Sequence, residues 1–258
     1  MESSERRVAV VGDDRAAALR RALAGLPYRS VERSAADAVV AVGDEALRDA
    51  LVDAPDAPVI PVGSRRIAVD IDVAERRVNA LLDAALRSDG HSPVDGDPLG
   101  DDVRRVAHPV LAVDAGDGET RRAAFDVALV TAEPARISEF AVGLVGGPDE
   151  SFRADGVVVA TPLGSDGYAN AAGGPVVEPG GGLSVAPIAP FSTRTDAWVA
   201  AGRLSLSVER ETESVALVVD GRERGSVVPH RPVAIEAVDS VALVTLADPR
   251  RARRSETL

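Results

Sequence analysis

The stretch Ala154–Pro179 reads ADGVVVATPLGSDGYANAAGGPVVEP. It starts with an apolar run typical of a buried strand, continues through a loop dense in Gly, Thr, Ser and Asp, and then forms an alanine-rich turn of helix before Gly-Gly-Pro. Glycines let a backbone come close to a ligand, and the loop also offers hydroxyls, a carboxylate and a phenol for hydrogen bonding. The alternative is a tight crossover between strands that needs glycine for its geometry alone.

Three apolar runs earlier in the chain each end at glycine and are followed by a helical pattern. These runs are Arg7–Gly12, Ala38–Gly43 and Pro58–Gly63, and the helices are expected over Ala16–Leu26, Glu45–Val52 and Val73–Leu86. Strands that alternate with helices predict a parallel sheet. Ligands bind beyond the carboxyl ends of such strands, which is where Gly12-Asp13 and Gly43-Asp44 fall.

After a Gly-, Pro- and Asp-rich linker over Ser88–Asp102, the sequence changes to short β-type segments separated by turn residues. The expected strands are Val103–Val113, Arg121–Thr131, Arg136–Leu144, Gly156–Thr161, Leu204–Glu209, Val215–Asp220, Ser226–Val228, Val233–Val238 and Val241–Leu246. We therefore predict an α/β domain with a parallel sheet over residues 1–95, an all-β, sandwich-like domain over 96–248, and a basic tail over 249–258. We expect the tail to be solvated and disordered, the alternative being an arm that contacts phosphate.

Composition excludes several classes of function. The 258 residues carry a net charge of −12 and only 3% aromatic residues, which argues against nucleic-acid binding. There is no cysteine, and His91, His108 and His230 are too scattered to suggest a metal site, so none is predicted. Without a long apolar run or a signal-peptide pattern, we expect a cytoplasmic protein that has no membrane partner.

The chain contains 29 basic residues, all of them arginine, against 41 acidic residues. Abundant aspartate without lysine predicts adaptation to a salt-rich cytoplasm, because a Debye length of about 3 Å at 1 M salt screens the self-repulsion of the acidic surface. A high-GC genome, which favours Arg and Asp codons over Lys, is the alternative explanation.

The opening stretch carries a family resemblance. Thr161–Tyr168 (TPLGSDGY), Ala172–Pro175 (AGGP) and the upstream Asp155-Gly156 resemble the NAD kinase signature T-P-T-G-S-T-A-Y, S-A-G-G-P and D-G. Further on, Pro187–Pro190 (PIAP) resembles the family's P-I-x-P, and Val218–Gly221 (VVDG) resembles its D-G hairpin. The resemblance extends over roughly the whole chain, since NAD kinases pair an N-terminal α/β domain with a C-terminal β domain. It implies a divergent member of haloarchaeal type.

The second diagnostic motif of that family, G-G-D-G-T, corresponds here to Val42-Gly43-Asp44-Glu45-Ala46, which keeps the second Gly and the Asp. In the family the glycines admit the nucleotide triphosphate and the Asp is implicated in activating the acceptor hydroxyl, so the resemblance makes Asp44 the catalytic base. Glu45 places a negative charge where polyphosphate would lie, a contact that costs about 1 kcal/mol in water and about 4 kcal/mol at an effective dielectric of 20. Asp44 can instead be the N-cap of a helix that follows a strand.

Other positions also depart from the family pattern. Phe125-Asp126 stands where the family has Asn-Glu, so an acceptor for ribose hydroxyls remains but the amide does not. Asp166 replaces a hydroxyl that faces adenine, and Phe191 replaces a histidine. Asp196-Ala197 corresponds to the family's Arg-Pro, with Arg194 near enough in sequence to substitute for that arginine.

The resemblance implies an enzyme that phosphorylates the adenosine-ribose 2′-hydroxyl of NAD(H), with ATP or polyphosphate as donor and Mg²⁺ as divalent cation, and that assembles as a dimer or tetramer. Beside Asp44, the nucleotide-binding set it implies comprises Gly43, Asp126, Asp155, Thr161, Gly164, Ser165, Asp166, Tyr168, Gly173 and Gly174. The first alternative is a paralogue that binds NAD(H) in a regulatory role and has lost phosphoryl transfer. The second is a relative in the wider lipid-kinase and phosphofructokinase group.

Overall fold

The computed structural model describes residues 6–53, 56–87, 97–98, 102–133, 137–147, 149–192, 195–210 and 214–247. The strands are β1 (Arg7–Gly12), β2 (Arg29–Ser30), β3 (Ala38–Val42), β4 (Val59–Val62), β5 (Asp97–Pro98), β6 (Val103–Asp114), β7 (Thr120–Ala123), β8 (Asp126–Thr131), β9 (Ser138–Leu144), β10 (Glu150–Ala154), β11 (Gly156–Ala160), β12 (Leu183–Ile188), β13 (Trp198–Ala200), β14 (Arg203–Arg210), β15 (Val215–Val219), β16 (Arg222–Ser226) and β17 (Val233–Leu246). The helices are α1 (Ala16–Leu23), α2 (Asp44–Val52), α3 (Ile71–Ala85) and α4 (Tyr168–Ala171).

The chain divides into two compact units. The N-terminal unit comprises residues 1–108 and 240–258, and the C-terminal unit comprises residues 109–239. Strands β6 and β17 each have residues in both units. The predicted boundary after residue 95 and the predicted basic tail over 249–258 lie outside the described residues, and both stay predictions.

The N-terminal unit is built on four parallel strands in the order β4-β3-β1-β2. Every residue of β3 and β4 is buried, as expected for parallel strands that are covered on both faces. The helix α3 contributes Val78, Leu81 and Leu82 to the core of this unit, and it begins where the Asp70 carboxylate accepts a hydrogen bond from the backbone N–H of Asp72 at 3.1 Å. The predicted α/β architecture with a parallel sheet is confirmed.

The C-terminal unit is a β-sandwich. One layer is the antiparallel sheet β13-β12-β11-β8-β15-β16, and the strands of the other layer include β10, β9, β14 and the first part of β17, with β7 paired to β6. The two layers enclose a common apolar core that includes Leu129, Phe140, Val157, Val185 and Leu206. The prediction of a sandwich-like β domain is confirmed.

Some strand boundaries differ from the sequence-based prediction. The expected strand Arg121–Thr131 is two strands, β7 and β8, and the two expected strands within Val233–Leu246 are one continuous strand, β17. The sequence did not reveal β10, β12 and β13. The edge strand β10 is mostly exposed, β12 contains a proline, and β13 has only three residues, so none of them has the alternating apolar pattern of a central strand.

The break between β7 and β8 depends on one carboxylate. Asp220 lies in a tight turn at a φ of +48°, and its side chain accepts hydrogen bonds from the backbone N–H groups of Ala124, Phe125 and Asp126 at 2.9, 2.7 and 3.0 Å. Its own N–H donates to the Asp126 carbonyl at 2.9 Å. Asp220 therefore holds the start of β8 in place.

We expect Asp220→Ala to lower the free energy of unfolding by about 2–3 kcal/mol, because the three N–H groups lose a charged acceptor. Asp220→Asn keeps one acceptor oxygen and tolerates the left-handed backbone, so its loss should be smaller. Asp239→Ala removes an exposed ion pair with Arg122 and serves as the control, with a change below about 1 kcal/mol. Denaturant unfolding in molar KCl measures all three, and equal stability of Asp220→Ala and wild type would contradict this account.

Candidate functional site

A cleft lies at the carboxyl ends of β1 and β3 in the N-terminal unit. These strands pair in parallel, with Gly12 beside Val42, so that the turns that follow them are neighbours. The cleft has a volume of about 570 Å³. We call it the N-terminal cleft. The residues that line it are Val11, Gly12, Asp13, Arg15, Glu32, Arg33, Val42, Gly43, Asp44, Glu45, Ala46 and Asp49. The two predicted positions Gly43 and Asp44 therefore border the same space as the turn after β1.

The turn after β1 carries a tight ion pair. The Arg15 guanidinium donates through Nη2 to Asp13 Oδ2 at 2.7 Å and through Nε to both carboxylate oxygens at 3.0–3.1 Å. The Arg15 backbone N–H also donates to Oδ1 at 3.0 Å. These hydrogen bonds hold the pKa of Asp13 below its ordinary value, and the charge of Asp44 adds to the raised pKa of Arg15. Arg15 thus brings a positive charge to the cleft that the sequence analysis did not identify.

The turn after β3 leads directly into α2. Gly43 has a φ of +87°, its N–H donates to the Val62 carbonyl at 2.9 Å, and a Cβ at this position would lie 3.0 Å from Arg15 Nη2. Only glycine takes this backbone conformation without strain. The first turn of α2 therefore begins at Asp44, and Asp44, Glu45 and Ala46 all line the cleft. The N-terminus of a helix can bind an anion through its first backbone N–H groups.

Asp44 forms an ion pair with Arg65, which lies in the turn after β4. Arg65 Nη2 is 3.0 Å from Asp44 Oδ2, and the exposed fractions of the two side chains are 18% and 54%. The N-cap of α2 is Gly43, and Asp44 is the first residue of the helix. Glu45 is 77% exposed, and Arg48 Nη2 lies 3.6 Å from its Oε1. Both acidic side chains at the start of α2 are therefore within reach of an arginine.

In the C-terminal unit, the loop Thr161–Gly167, which we call the glycine loop, connects β11 to α4. The Thr161 hydroxyl is buried and donates to the carbonyls of Ala124 and Phe125 at 2.8 and 3.1 Å. The Ser165 hydroxyl is also buried, donates to the Pro162 carbonyl at 3.0 Å and accepts from the Val177 N–H at 2.9 Å. Both hydroxyls hold the loop to its surroundings, and contact of either with a ligand stays a prediction.

Gly164 is the point of closest approach between the glycine loop and the sheet. A Cβ at this position would lie 2.1 Å from the Phe125 carbonyl oxygen, so no side chain fits. The Thr161 N–H donates to the same carbonyl at 2.8 Å. The loop is therefore held against the beginning of β8, where Asp126 follows Phe125.

Tyr168 is the first residue of the short helix α4, and the residue is 47% exposed. The pKa of its phenol is raised, first by burial and then by the negative charges of Asp126 and Asp155. Three predicted site residues that are distant from one another in sequence thus interact through their charges. Asp166 is half-buried and lies in the glycine loop, two residues before Tyr168.

The segment after α4 closes this region. The Gly173 N–H donates to the Asn170 carbonyl at 3.0 Å, and the Gly174 N–H donates to the Ala169 carbonyl at 2.8 Å. A Cβ on Gly174 would lie 2.9 Å from the Ser184 Oγ of β12. The predicted glycines therefore let α4 lie close to the sheet, where Ala169 joins Ala128, Val158, Ala160 and Ala186 in a small apolar cluster.

A second cleft of about 300 Å³ in the C-terminal unit contains two of the positions that depart from the family pattern, Phe191 and Asp196. Phe191 is 70% exposed, and the Arg153 guanidinium lies 5.6 Å from the centre of its ring. Arg194, the residue that could substitute for the missing arginine, lies outside the described residues. In the described part of the chain, no three His, Asp or Glu side chains are placed to hold a metal ion, and no helix is long and apolar enough to cross a membrane.

Comparison with known proteins finds similarity to NAD kinases. Residues 126–244 match the ATP-NAD kinase C-terminal domain. The chain is 36% identical over 141 residues to an NAD kinase of Methanoculleus marisnigri, covering 54% of this chain and 50% of that protein. It is 35% identical over 127 residues to a bifunctional NADP phosphatase/NAD kinase of Methanocaldococcus jannaschii, covering 48% of this chain and 22% of that protein. The chain thus spans half or less of the length of these curated relatives.

Two solved structures share the fold. An NAD kinase from Archaeoglobus fulgidus in complex with ATP matches with a TM-score of 0.68 at 24% identity, covering 96% of each chain. A yeast NADH kinase complexed with NADH matches with a TM-score of 0.73 at 14% identity, covering 99% of this chain and 88% of that one. At these identities the similarity establishes the two-domain fold.

We expect Gly164→Ala to destabilise the protein by about 3 kcal/mol, since the new methyl group would clash with the Phe125 carbonyl, which β8 holds in place. Gly147→Ala is the matched control, because no atom lies within 4 Å of its Cβ position and its φ is not in the left-handed region. Its stability should stay within about 1 kcal/mol of wild type. Denaturant unfolding measures both variants, and similar losses at the two positions would contradict the close approach.

The raised pKa of Tyr168 gives a second prediction. The chain has two tyrosines, so Tyr28→Phe leaves Tyr168 as the only phenol to titrate by phenolate absorbance. Adding Asp126→Asn should lower the Tyr168 pKa, because the nearby negative charge disfavours the phenolate. Asp166→Asn is the control, since the charge of Asp166 does not contribute to this shift. An unchanged titration midpoint in the Asp126→Asn protein would show that the two groups do not interact.

Proposed function

We propose that this chain is a member of the NAD kinase family and that it transfers the terminal phosphoryl group of ATP or polyphosphate to the 2′-hydroxyl of the adenosine ribose of NAD(H), forming NADP(H). The matched family domain and the shared fold support the proposal. The single observation that carries it is the glycine loop, which lies against β8 and is followed by Tyr168 within the charge fields of Asp126 and Asp155.

The C-terminal unit supplies the groups that we assign to the dinucleotide. Asp126 and Asp155 carry carboxylates that can accept hydrogen bonds from ribose hydroxyls, and the exposed ring of Tyr168 can stack on a base. Asp166 can accept from the exocyclic amine of adenine. The remaining predicted residues shape this surface. Two of them hold the backbone through hydroxyl hydrogen bonds, and the glycines let the backbone come close to the sheet. They are Thr161, Gly164, Ser165, Gly173 and Gly174.

The N-terminal unit supplies the groups that we assign to the phosphoryl donor. The first-turn N–H groups of α2, from Asp44 to Ala46, and the guanidinium of Arg15 can bind phosphate oxygens. Mg²⁺ keeps most of its ligands as water and phosphate oxygens and needs only one or two carboxylates, so it would arrive as part of the donor substrate. Asp44 acts as the general base that accepts the proton of the 2′-hydroxyl.

The alternative function is NAD(H) binding without phosphoryl transfer. One observation favours it: Glu45, which stands in place of a glycine of the family motif, lines the N-terminal cleft with a 77% exposed carboxylate. A negative charge there opposes a bound polyphosphate. Arg48 lies within 3.6 Å of that carboxylate and offsets part of the repulsion, which is why we favour the kinase.

Two further properties belong to the proposal on the strength of the family resemblance and the composition. The protein assembles as a homodimer or homotetramer, which its mass in solution would reveal. It is active in molar salt, since the net charge of −12 is then screened from anionic nucleotides.

We expect purified protein to form NADP from NAD, ATP and Mg²⁺ in molar KCl, and Asp44→Asn to lower kcat by about 10²–10⁴-fold, the usual contribution of a general base. Asp49→Asn is the matched control, because it lies on the same helix, lines the same cleft and also pairs with an arginine. Its kcat should stay close to that of wild type. Equal rates for Asp44→Asn and wild type would remove Asp44 from the chemistry.

Titration calorimetry separates the two candidate functions. The kinase requires that both NAD and the ATP–Mg²⁺ complex bind to the wild-type protein. Binding of NAD with no binding of ATP or polyphosphate, together with no NADP formation, would establish the regulatory alternative instead.

A further inference from the structure

We propose that Arg65 is the positioning residue for Asp44, a role that no motif in the sequence indicates. This inference rests on the proposed function and deepens it. The Arg65 guanidinium forms an ion pair with the Asp44 carboxylate, with Nη2 at 3.0 Å from Oδ2. An ionised carboxylate has about four acceptor sites on its two oxygens, so a pair with one arginine leaves it able to accept from a substrate hydroxyl.

The backbone around Arg65 is fixed on both sides. Gly63 donates its N–H to the Val69 carbonyl at 3.0 Å, and Val69 donates its own N–H to the Pro61 carbonyl at 2.8 Å. Within this closed turn, the Ala68 N–H donates to the Arg65 carbonyl at 2.9 Å. Arg65 therefore starts from a rigid turn at the end of β4.

The turns after β3 and β4 are also neighbours. The strands pair with Val42 beside Val62, and the Gly43 N–H donates to the Val62 carbonyl at 2.9 Å. A Cβ on Gly63 would lie 3.9 Å from the Gly43 Cα, so the two turns are in near contact. The reach of an arginine across this short distance places its guanidinium at the first residue of α2.

Burial separates the roles of the two partners. The Arg65 side chain is 18% exposed and the Asp44 side chain 54% exposed. The arginine is thus the anchored member of the pair, and the carboxylate is the member that a substrate can reach. A fixed orientation matters because a misplacement of about 1 Å at a reacting group can cost about 100-fold in rate.

In the reaction, the 2′-oxygen of the ribose forms a bond to the terminal phosphorus of ATP while the bond from that phosphorus to the bridging oxygen breaks. The hydroxyl proton passes to Asp44, and ADP leaves with the electrons of the broken bond. In the family's G-G-D-G-T motif, glycines stand on both sides of the Asp, whereas Glu45 follows Asp44 in this chain. Arg65 supplies an orientation that the altered loop cannot supply alone.

The test compares steady-state kinetics of NADP formation for Arg65→Met, Arg65→Lys and Arg65→Met combined with Asp44→Asn. Arg65→Met should lower kcat by about 10- to 100-fold while the KM for ATP changes little. Arg65→Lys keeps a cation that can reach one carboxylate oxygen, so it should recover most of the rate. In the Asp44→Asn protein, Arg65→Met should have no further effect on kcat, because Arg65 acts through Asp44.

Arg121→Met is the matched control, since the Arg121 side chain is 9% exposed and pairs with Asp117, away from the residues that line either cleft. Its kcat should stay near that of wild type. Unfolding midpoints are measured for every variant. If Arg65→Met is unfolded, Arg65→Gln, which keeps a hydrogen-bond donor in the half-buried site, replaces it in both backgrounds.

Three results would overturn the inference. The first is an unchanged kcat in Arg65→Met. The second is a raised KM for ATP at unchanged kcat, which would make Arg65 a phosphate contact. The third is the same fold-loss with and without Asp44, which would make its role purely structural. A wild-type protein that forms no NADP would instead refute the proposed function, and the inference with it.

Discussion

The close approach of Gly164 to the Phe125 carbonyl constrains the whole C-terminal part of the candidate site. A carbonyl oxygen 2.1 Å from the position of a Cβ leaves room only for hydrogen at this residue. The contact holds the glycine loop against the residue just before β8, and the Asp220 carboxylate binds three backbone N–H groups at the same place, those of Ala124, Phe125 and Asp126. Tyr168, at the end of the loop, consequently lies in the charge fields of Asp126 and Asp155.

The N-terminal cleft indicates how a protein of net negative charge can form an anion-binding site. Several of its acidic side chains are paired with arginines, including Asp13 with Arg15 and Asp44 with Arg65. Such pairs keep the cleft from being a field of uncompensated negative charge, while the backbone N–H groups at the start of α2 supply neutral donors. Molar salt would screen the remaining charge, which agrees with the expectation drawn from a composition without lysine.

The sequence was sufficient to predict the two-domain architecture, because apolar runs ending in glycine and short β-type segments each have a direct physical meaning. It was also sufficient to identify the glycine loop, since the order and spacing of its residues are specific. It could not predict that Thr161 and Ser165 turn their hydroxyls to the backbone, because a hydroxyl in a loop has the same sequence pattern whether it faces a ligand or a carbonyl. Arg65 could not be found either, since its partner lies on another strand turn 21 positions away in the chain and only the register of β3 and β4 brings the two together.

The proposed function requires phosphoryl transfer to one particular oxygen of NAD. This is tested by ³¹P NMR of the product formed by the full chain from NAD, ATP and Mg²⁺ in molar KCl. We expect a new phosphomonoester resonance from the 2′-phosphate of the adenosine ribose, appearing together with the resonances of ADP. ADP and inorganic phosphate without that ester, or unchanged NAD and ATP, would contradict it.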